Sequence, residues 1–181
     1  LGKTPFYKKV KPTPYDEAVS LIWYLENVFY HSVSKIYNYI QQHIYDGEPL
    51  ENEIIDLGFW PGGDRDGNPF VTTKITLDVA ERLRQSILRS YYGDVKRLKR
   101  RFTFDGVQEI LARVEDRLYK HVVRSYRKVN FSQKILLSEL ETAREIIKTK
   151  HNSLFIDELN DFINKVRIFG FHFATLDIRQ D

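Results

Sequence analysis

Ile54-Ile55-Asp56-Leu57-Gly58-Phe59 runs directly into Trp60-Pro61-Gly62-Gly63-Asp64-Arg65-Asp66-Gly67-Asn68-Pro69. The first six residues are apolar at four positions and are followed at once by Pro and Gly. That length favours a buried strand over a helix, which needs roughly ten residues or more. The second piece is a loop. Gly62, Gly63 and Gly67 let the backbone take positive φ and approach a ligand closely, while Asp64, Arg65, Asp66 and Asn68 crowd charge and hydrogen-bonding groups together. An ordinary polar turn, with Asp side chains bonding their own backbone, accounts for such a composition in most loops. Here three acidic or amide groups surround a guanidinium beside Trp60 at the end of a buried strand, the position where α/β folds build sites. A calcium loop fits less well. Asp64, Asp66 and Asn68 take its first, third and fifth places, but Pro69 replaces the glycine of the sixth and Ile75 the glutamate of the twelfth.

Around this loop the chain reads as helical. Ala18, Ile22, Leu25, Phe29, Val33, Ile36, Ile40 and Ile44 recur in steps of three and four, which predicts a long helix from about 15 to 45, with Pro14 and the acidic pair Asp16 and Glu17 at its start. Gly47 and Pro49 stop it. Thr76 is the expected cap of a second long helix with the face Ala80, Leu83, Ile87, Tyr91, Val95, Leu98 and Phe102, passing in phase through Gly93. Three more helices follow on Val107–Val122, Leu136–Ile147 and Phe155–Phe169, the last closed by Gly170. A second strand is expected over about 171–178. The fold class is therefore mainly α, long helices with two short strands at about 54–59 and 171–178, in one partial domain over 1–181. The strands are too far apart for a hairpin and long for a single crossover, which a helical insertion between neighbouring barrel strands would explain.

Composition bounds the function. With 42% hydrophobic and 14% aromatic residues the chain can bury a core, so disorder is excluded as a default. The absence of Cys excludes disulfides, thiolate zinc and a cysteine nucleophile, and favours the cytoplasm. No apolar run approaches the ~20 residues of a membrane span. Net charge is +3, yet Arg82 to Arg101 holds eight basic residues against Asp94 alone, a segment of +7 in a remainder of −4. The run Lys96-Arg97-Leu98-Lys99-Arg100-Arg101 keeps open an anion- or nucleic-acid-binding module. A solvated helix end, where cations complement the dipole, is the plainer account, and no nucleic-acid partner is expected. None of the five His lies in a metal-binding spacing. The chain starts at Leu1 without an initiator Met, and it is expected to be part of a longer protein.

Three blocks carry a more specific reading. Trp60-Pro61-Gly62-Gly63-Asp64-Arg65-Asp66-Gly67-Asn68-Pro69-Phe70-Val71-Thr72 resembles the signature W-x-G-G-D-R-D-G-N-P-x-V-T of the phosphoenolpyruvate carboxylases. Lys11-Pro12-Thr13-Pro14-Tyr15-Asp16-Glu17-Ala18 resembles that family's K-P-T-P-x-D-E-A. Leu176-Asp177-Ile178-Arg179-Gln180 resembles its L-D-I-R-Q, preceded by F-G at Phe169-Gly170. Phe59, Pro61, Phe70 and Asp181 depart from the common residues, but none removes a charge from the central block.

The resemblance implies an excerpt of a phosphoenolpyruvate carboxylase-type α/β barrel with helical insertions, from a lyase of carbon dioxide fixation that supplies oxaloacetate to the tricarboxylic acid cycle. Phosphoenolpyruvate and bicarbonate would be its substrates, Mg²⁺ or Mn²⁺ its cofactor with ligands outside this chain, and a homotetramer its assembly. Arg179 matches the catalytic arginine of L-D-I-R-Q, its plain alternative being a salt bridge to Asp177. Arg65 is a second cation toward the substrate, a structural ion pair with Asp64 or Asp66, or both. Asp64, Asp66 and Asn68 would orient the arginines, Gly63 would allow close approach, and Trp60 would line the substrate pocket. The block with the family's catalytic histidine is not in this sequence, so these residues alone are expected to be inactive. A non-catalytic scaffold of the same family is the remaining alternative.

Overall fold

The computed structural model describes residues 12–47, 54–66, 68–123 and 131–179. Lys11, Pro49, Gly67, Gln180 and Asp181, which belong to the sequence blocks and helix stop described for the sequence, lie outside them. Helix α1 (Pro14–Tyr24) begins with a reciprocal cap: the Asp16 N–H donates to Thr13 Oγ1 at 3.2 Å and the Thr13 N–H to Asp16 Oδ2 at 2.9 Å. It continues through a π-helical turn (Leu25–Phe29) into α2 (Tyr30–Ile44) as one rod. Then come β1 (Gly58–Phe59), α3 (Thr73–Arg101), α4 (Val107–Val122), α5 (Gln133–Lys150), α6 (Ile156–Phe169) and β2 (Thr175–Leu176). The strands are shorter than the runs 54–59 and 171–178 predicted from the sequence.

The π turn corrects the expected core face of the first rod. Ala18, Ile22 and Leu25 are buried, but the next buried residue is Tyr30, a step of five, followed by Val33, Ser34 and Tyr37. The widened turn takes up one extra residue and rotates the helix beyond it. Phe29, Ile36 and Ile44 of the expected stripe are consequently exposed.

Helix α3 runs unbroken through Gly93, which faces open space. Its cap is Thr72, whose Oγ1 accepts from the Ile75 N–H, and not Thr76. Thr76 lies a turn inside and donates to the Gly62 carbonyl at 2.7 Å, which ties the loop to the helix. The buried face also starts one residue earlier than the spacing indicated, at Val79, leaving Ala80 exposed. Phe155 likewise does not open the apolar face of α6. It sits before the helix at φ 59° and is exposed.

Helix α3 packs on α1, α4 and α6, with α4 on α5, α5 on α6 and α6 on α2. Tyr30, Tyr91, Phe162, Phe169 and Phe173 fill the centre, with ring centroids 5.6 Å apart for Tyr30 and Phe169 and 5.2 Å for Phe169 and Phe173. A polar network crosses this core. Lys165 Nζ, 4% exposed, lies 3.2 Å from Asp94 Oδ2 and 2.7 Å from Asp161 Oδ2, and Tyr30 donates to Asp94 at 3.0 Å. Arg97 holds the other Asp94 oxygen at 2.7 Å. Paired in this way, the buried charges avoid the cost of isolated ions. Burial first, and then the Asp94 charge, pushes the Tyr30 phenol well above its ordinary range, and burial does the same to Tyr91.

Strands β1 and β2 pair in parallel, Gly58 with Thr175 and Phe59 with Leu176, with four helices in the crossover. The Thr175 N–H donates to the Leu57 carbonyl at 2.7 Å and the Asp177 N–H to that of Phe59 at 2.9 Å. Two devices aim β2. Gly170 ends α6 at φ 54°, its carbonyl accepting from the Tyr91 hydroxyl at 2.7 Å. Phe173 takes φ 68°, an uncommon conformation for a bulky residue, and is held there by its burial against Phe169.

Candidate functional site

The parallel pairing continues past β1 into the loop. Gly63 and Asp64 donate backbone N–H groups to the Trp60 carbonyl at 2.9 and 3.1 Å, making a tight turn. The chain then runs beside Asp177–Arg179: Asp64 bridges Arg179, the Arg65 N–H donates to the Arg179 carbonyl at 2.9 Å, and the Arg179 N–H donates to that of Gly63 at 3.3 Å. The approach explains the two glycines. A Cβ on Gly63 would lie 2.2 Å from the Asp177 carbonyl oxygen, and one on Gly62, at φ 80°, 2.6 Å from Val79 Cγ2.

The two arginines thus leave adjacent backbone segments at the C-terminal end of the strand pair. Arg179 is 63% exposed in its side chain and binds Asp177 Oδ2 through Nε at 3.0 Å and Nη2 at 2.8 Å. Arg65 is half-buried and turns toward the start of α3, where Nη2 donates to Thr73 Oγ1 at 3.2 Å and Thr76 Oγ1 at 3.3 Å. Positive charge from the helix end adds to that of the guanidinium. Asp64 Oδ1 accepts from the Asp66 N–H at 3.2 Å and Asn68 Oδ1 from the Phe70 N–H at 3.1 Å, so both shape the loop through its own backbone. Asp66 and Asn68 are solvent-facing, and Trp60 is exposed just after β1.

Asn68 and Phe70 also border a surface cleft of about 300 Å³ with Pro12, Thr13, Pro14 and Glu17. The structure therefore brings the central block against both others, through its backbone at Gly63–Arg65 and through this cleft at Asn68–Phe70. Among the described residues no group of three or more His, Asp or Glu could hold a metal ion. Of the acids at hand, Asp64 and Asp177 are engaged with backbone and Arg179, and Asp66 faces solvent. These residues do not fit a divalent cation site by themselves.

Elsewhere, much of the basic run is matched within the helices. Arg97 pairs with Asp94, Lys99 with Glu115, and Arg101 with Glu158 at 2.9 Å while lying 4.7 Å from the Phe155 ring centroid. Lys96 covers the Tyr92 ring. The Asp94–Lys165–Asp161 network was missed by sequence reasoning. Its one sequence signal is that Asp94 is the sole acid of the +7 segment. No helix among the described residues is long and apolar enough to cross a membrane.

A glycine-tight loop that caps α3 and pairs in parallel with an Arg-bearing strand end defines a class of strand-end site suited to anionic ligands. The sequence comparisons are more specific. The family model for phosphoenolpyruvate carboxylase matches residues 2–134 and 106–181, and the chain belongs to that family. It is 29% identical over 204 residues to the phosphoenolpyruvate carboxylase of Aeromonas hydrophila subsp. hydrophila, covering 96% of this chain and 23% of that protein. The Aeromonas salmonicida enzyme matches equally well, and that of Shewanella loihica is 28% identical over 203 residues, covering 94% of this chain and 23% of that protein. The chain thus spans about a quarter of the length of these curated relatives.

Proposed function

We propose that this chain is an internal part of a phosphoenolpyruvate carboxylase, a lyase converting phosphoenolpyruvate and bicarbonate to oxaloacetate and phosphate, and that it contributes two cations and the loop that sets them. The observation that supports this best is the pairing of the Gly63–Arg65 backbone onto Asp177–Arg179, with the Arg65 N–H 2.9 Å from the Arg179 carbonyl. Two blocks far apart in sequence meet there, and they are the two that bear the arginines.

In this reading bicarbonate attacks the phosphoryl group, giving carboxyphosphate and the pyruvate enolate, and the carbon dioxide released from carboxyphosphate is captured by the enolate. Both steps crowd anions together. Arg179 grips the phosphate or carboxyphosphate, for which an exposed guanidinium need only exchange Asp177 for substrate. Arg65, anchored on Thr73 and Thr76, adds a fixed positive charge that does not titrate in the working range. Asp64, Asp66 and Asn68 keep the loop in the shape that orients the arginines, and Gly63 permits the approach. Trp60 lines the phosphoenolpyruvate pocket. Mg²⁺ or Mn²⁺ supplies further charge neutralisation, held by residues outside this chain.

The parent protein is placed in the cytoplasm as a homotetramer that feeds the tricarboxylic acid cycle by carbon dioxide fixation. The isolated 181 residues have no activity in this account. The test is oxaloacetate formation coupled to malate dehydrogenase and NADH oxidation. Turnover by the full-length parent and none by the 181-residue chain is the expected pair of results. Turnover by the isolated chain, or none by the parent, would refute it.

A further inference from the structure

We propose that Thr76 is a positioning residue for the reaction, its hydroxyl fixing the Arg65 guanidinium in the orientation that meets the substrate, an inference that rests on the carboxylase reading of this site. Thr76 is not the cap of α3 but lies a turn inside it, 7% exposed. Its Oγ1 is 2.7 Å from the Gly62 carbonyl, 3.2 Å from the Thr72 carbonyl and 3.3 Å from Arg65 Nη2.

A hydroxyl carries one proton and two lone pairs. The Thr72 carbonyl already accepts the Thr76 N–H at 3.0 Å, and the Gly62 oxygen is the nearer of the two, so the proton goes to Gly62. The lone pairs are then left for Arg65, whose guanidinium can only donate. One buried group thus sets the loop backbone with its proton and the guanidinium with its oxygen. Branching at Cβ limits the χ1 rotamers of Thr and so stiffens the hydroxyl. Val79, three residues on along the same face of α3, closes on Gly62 so tightly that a Cβ there would lie 2.6 Å from it, which stops the loop sliding along the helix. The Arg65 backbone is held separately, by its N–H on the Arg179 carbonyl at 2.9 Å. The side chain is therefore located at both ends relative to the strand that bears Arg179. Thr73, the other acceptor at 3.2 Å, is exposed, and water can take its place.

Thr76→Val keeps the shape and removes the hydroxyl, whereas Thr76→Ser keeps the hydroxyl and removes the methyl. In the full-length parent, the Val variant should lower kcat for oxaloacetate formation by roughly tenfold or more, because the charge is no longer held in place. The Ser variant should retain most of it. A Val variant as active as the Ser variant overturns the proposal. In an Arg65→Ala background the Val substitution should cost less than about twofold further, because Thr76 acts through Arg65. A loss carried over in full assigns Thr76 to the loop fold alone and overturns it too. Phenylglyoxal modification of the same proteins, followed by peptide mass spectrometry, reads the contact without turnover. Arg65 should react about fivefold faster in the Val variant, the change that one net hydrogen bond supports, while Arg179 keeps its rate. No rise at Arg65, or equal rises at both arginines, contradicts the assignment. If the unsubstituted parent forms no oxaloacetate, the carboxylase reading falls, and the two modification rates still decide whether Thr76 holds Arg65.

Discussion

Gly63→Ala is the sharpest perturbation of the candidate site, because the structure says what the added methyl meets. The new Cβ would sit 2.2 Å from the Asp177 carbonyl oxygen and 3.3 Å from the Leu176 side chain, whereas ordinary contact begins at 3.4 Å. The obstacle is backbone, which cannot swing aside as a side chain would. Loop and strand must separate by more than 1 Å. That breaks the bonds from the Arg65 N–H to the Arg179 carbonyl and from the Arg179 N–H to the Gly63 carbonyl, 2.9 and 3.3 Å long. At a net ~1 kcal/mol for each bond, the fold loses about 2 kcal/mol. With a urea slope of roughly 1–3 kcal/mol per molar, the unfolding midpoint should fall by about 1 M. Hydrogen exchange at the Arg65 and Arg179 amides should accelerate more than exchange within α4. In the full-length parent, displacing the arginines by 1 Å should lower turnover by roughly 100-fold. An unchanged midpoint together with unchanged exchange at those two amides would mean that the two segments do not touch.

Gly93→Ala should have the opposite sign. Its Cβ meets nothing within 4 Å inside a continuous helix, so thermal unfolding should show a gain of ~1 kcal/mol, and a loss would mean that α3 is broken there. Lys165→Met strips Asp94 of a buried partner and should cost ~3 kcal/mol or more in urea melts, against ~0.5 kcal/mol for Lys120→Met at the exposed pair with Asp116. Equal costs would deny the network its buried character. Tyr30 makes stability fall in alkali. Its folded-state pKa is raised above the ordinary 10.0, so the stabilising contribution is complete below that value and is lost as the pH climbs past it toward the folded-state pKa. Tyr30→Phe should flatten that decline relative to its own neutral-pH stability, and an equally steep decline would exclude Tyr30 as the cause.

Much of the fold was legible because helices announce themselves by local spacing. Four of the rods fall where the apolar periodicity put them, and Gly170 ends α6 as its residue type predicts. The failures share a cause, which is that tertiary contacts chose between local options of similar energy. Thr72 and Thr76 are both competent caps, and Thr76 was drawn inward by the Gly62 carbonyl. The π turn costs little locally, and no pattern of 3.6 residues can foresee a step of five. Strand length shrank to the residues that find a partner, since β1 pairs only with β2 among the described residues. In the candidate site, the loop's glycine need was readable, but its meeting with Asp177–Arg179 depends on a crossover of four helices. The Asp94–Lys165 pair joins residues 71 positions apart and left no periodic trace.

Arg179, exposed beside the Gly63–Arg65 segment, is proposed to handle the phosphate or carboxyphosphate in the parent carboxylase. The most direct test of that role is the steady-state rate of oxaloacetate formation by the full-length parent carrying Arg179→Ala, measured at saturating phosphoenolpyruvate and bicarbonate. Removing a cation aimed at the developing charge should lower kcat by roughly 100- to 1000-fold while the protein remains folded. A folded variant with near-normal kcat would contradict the account.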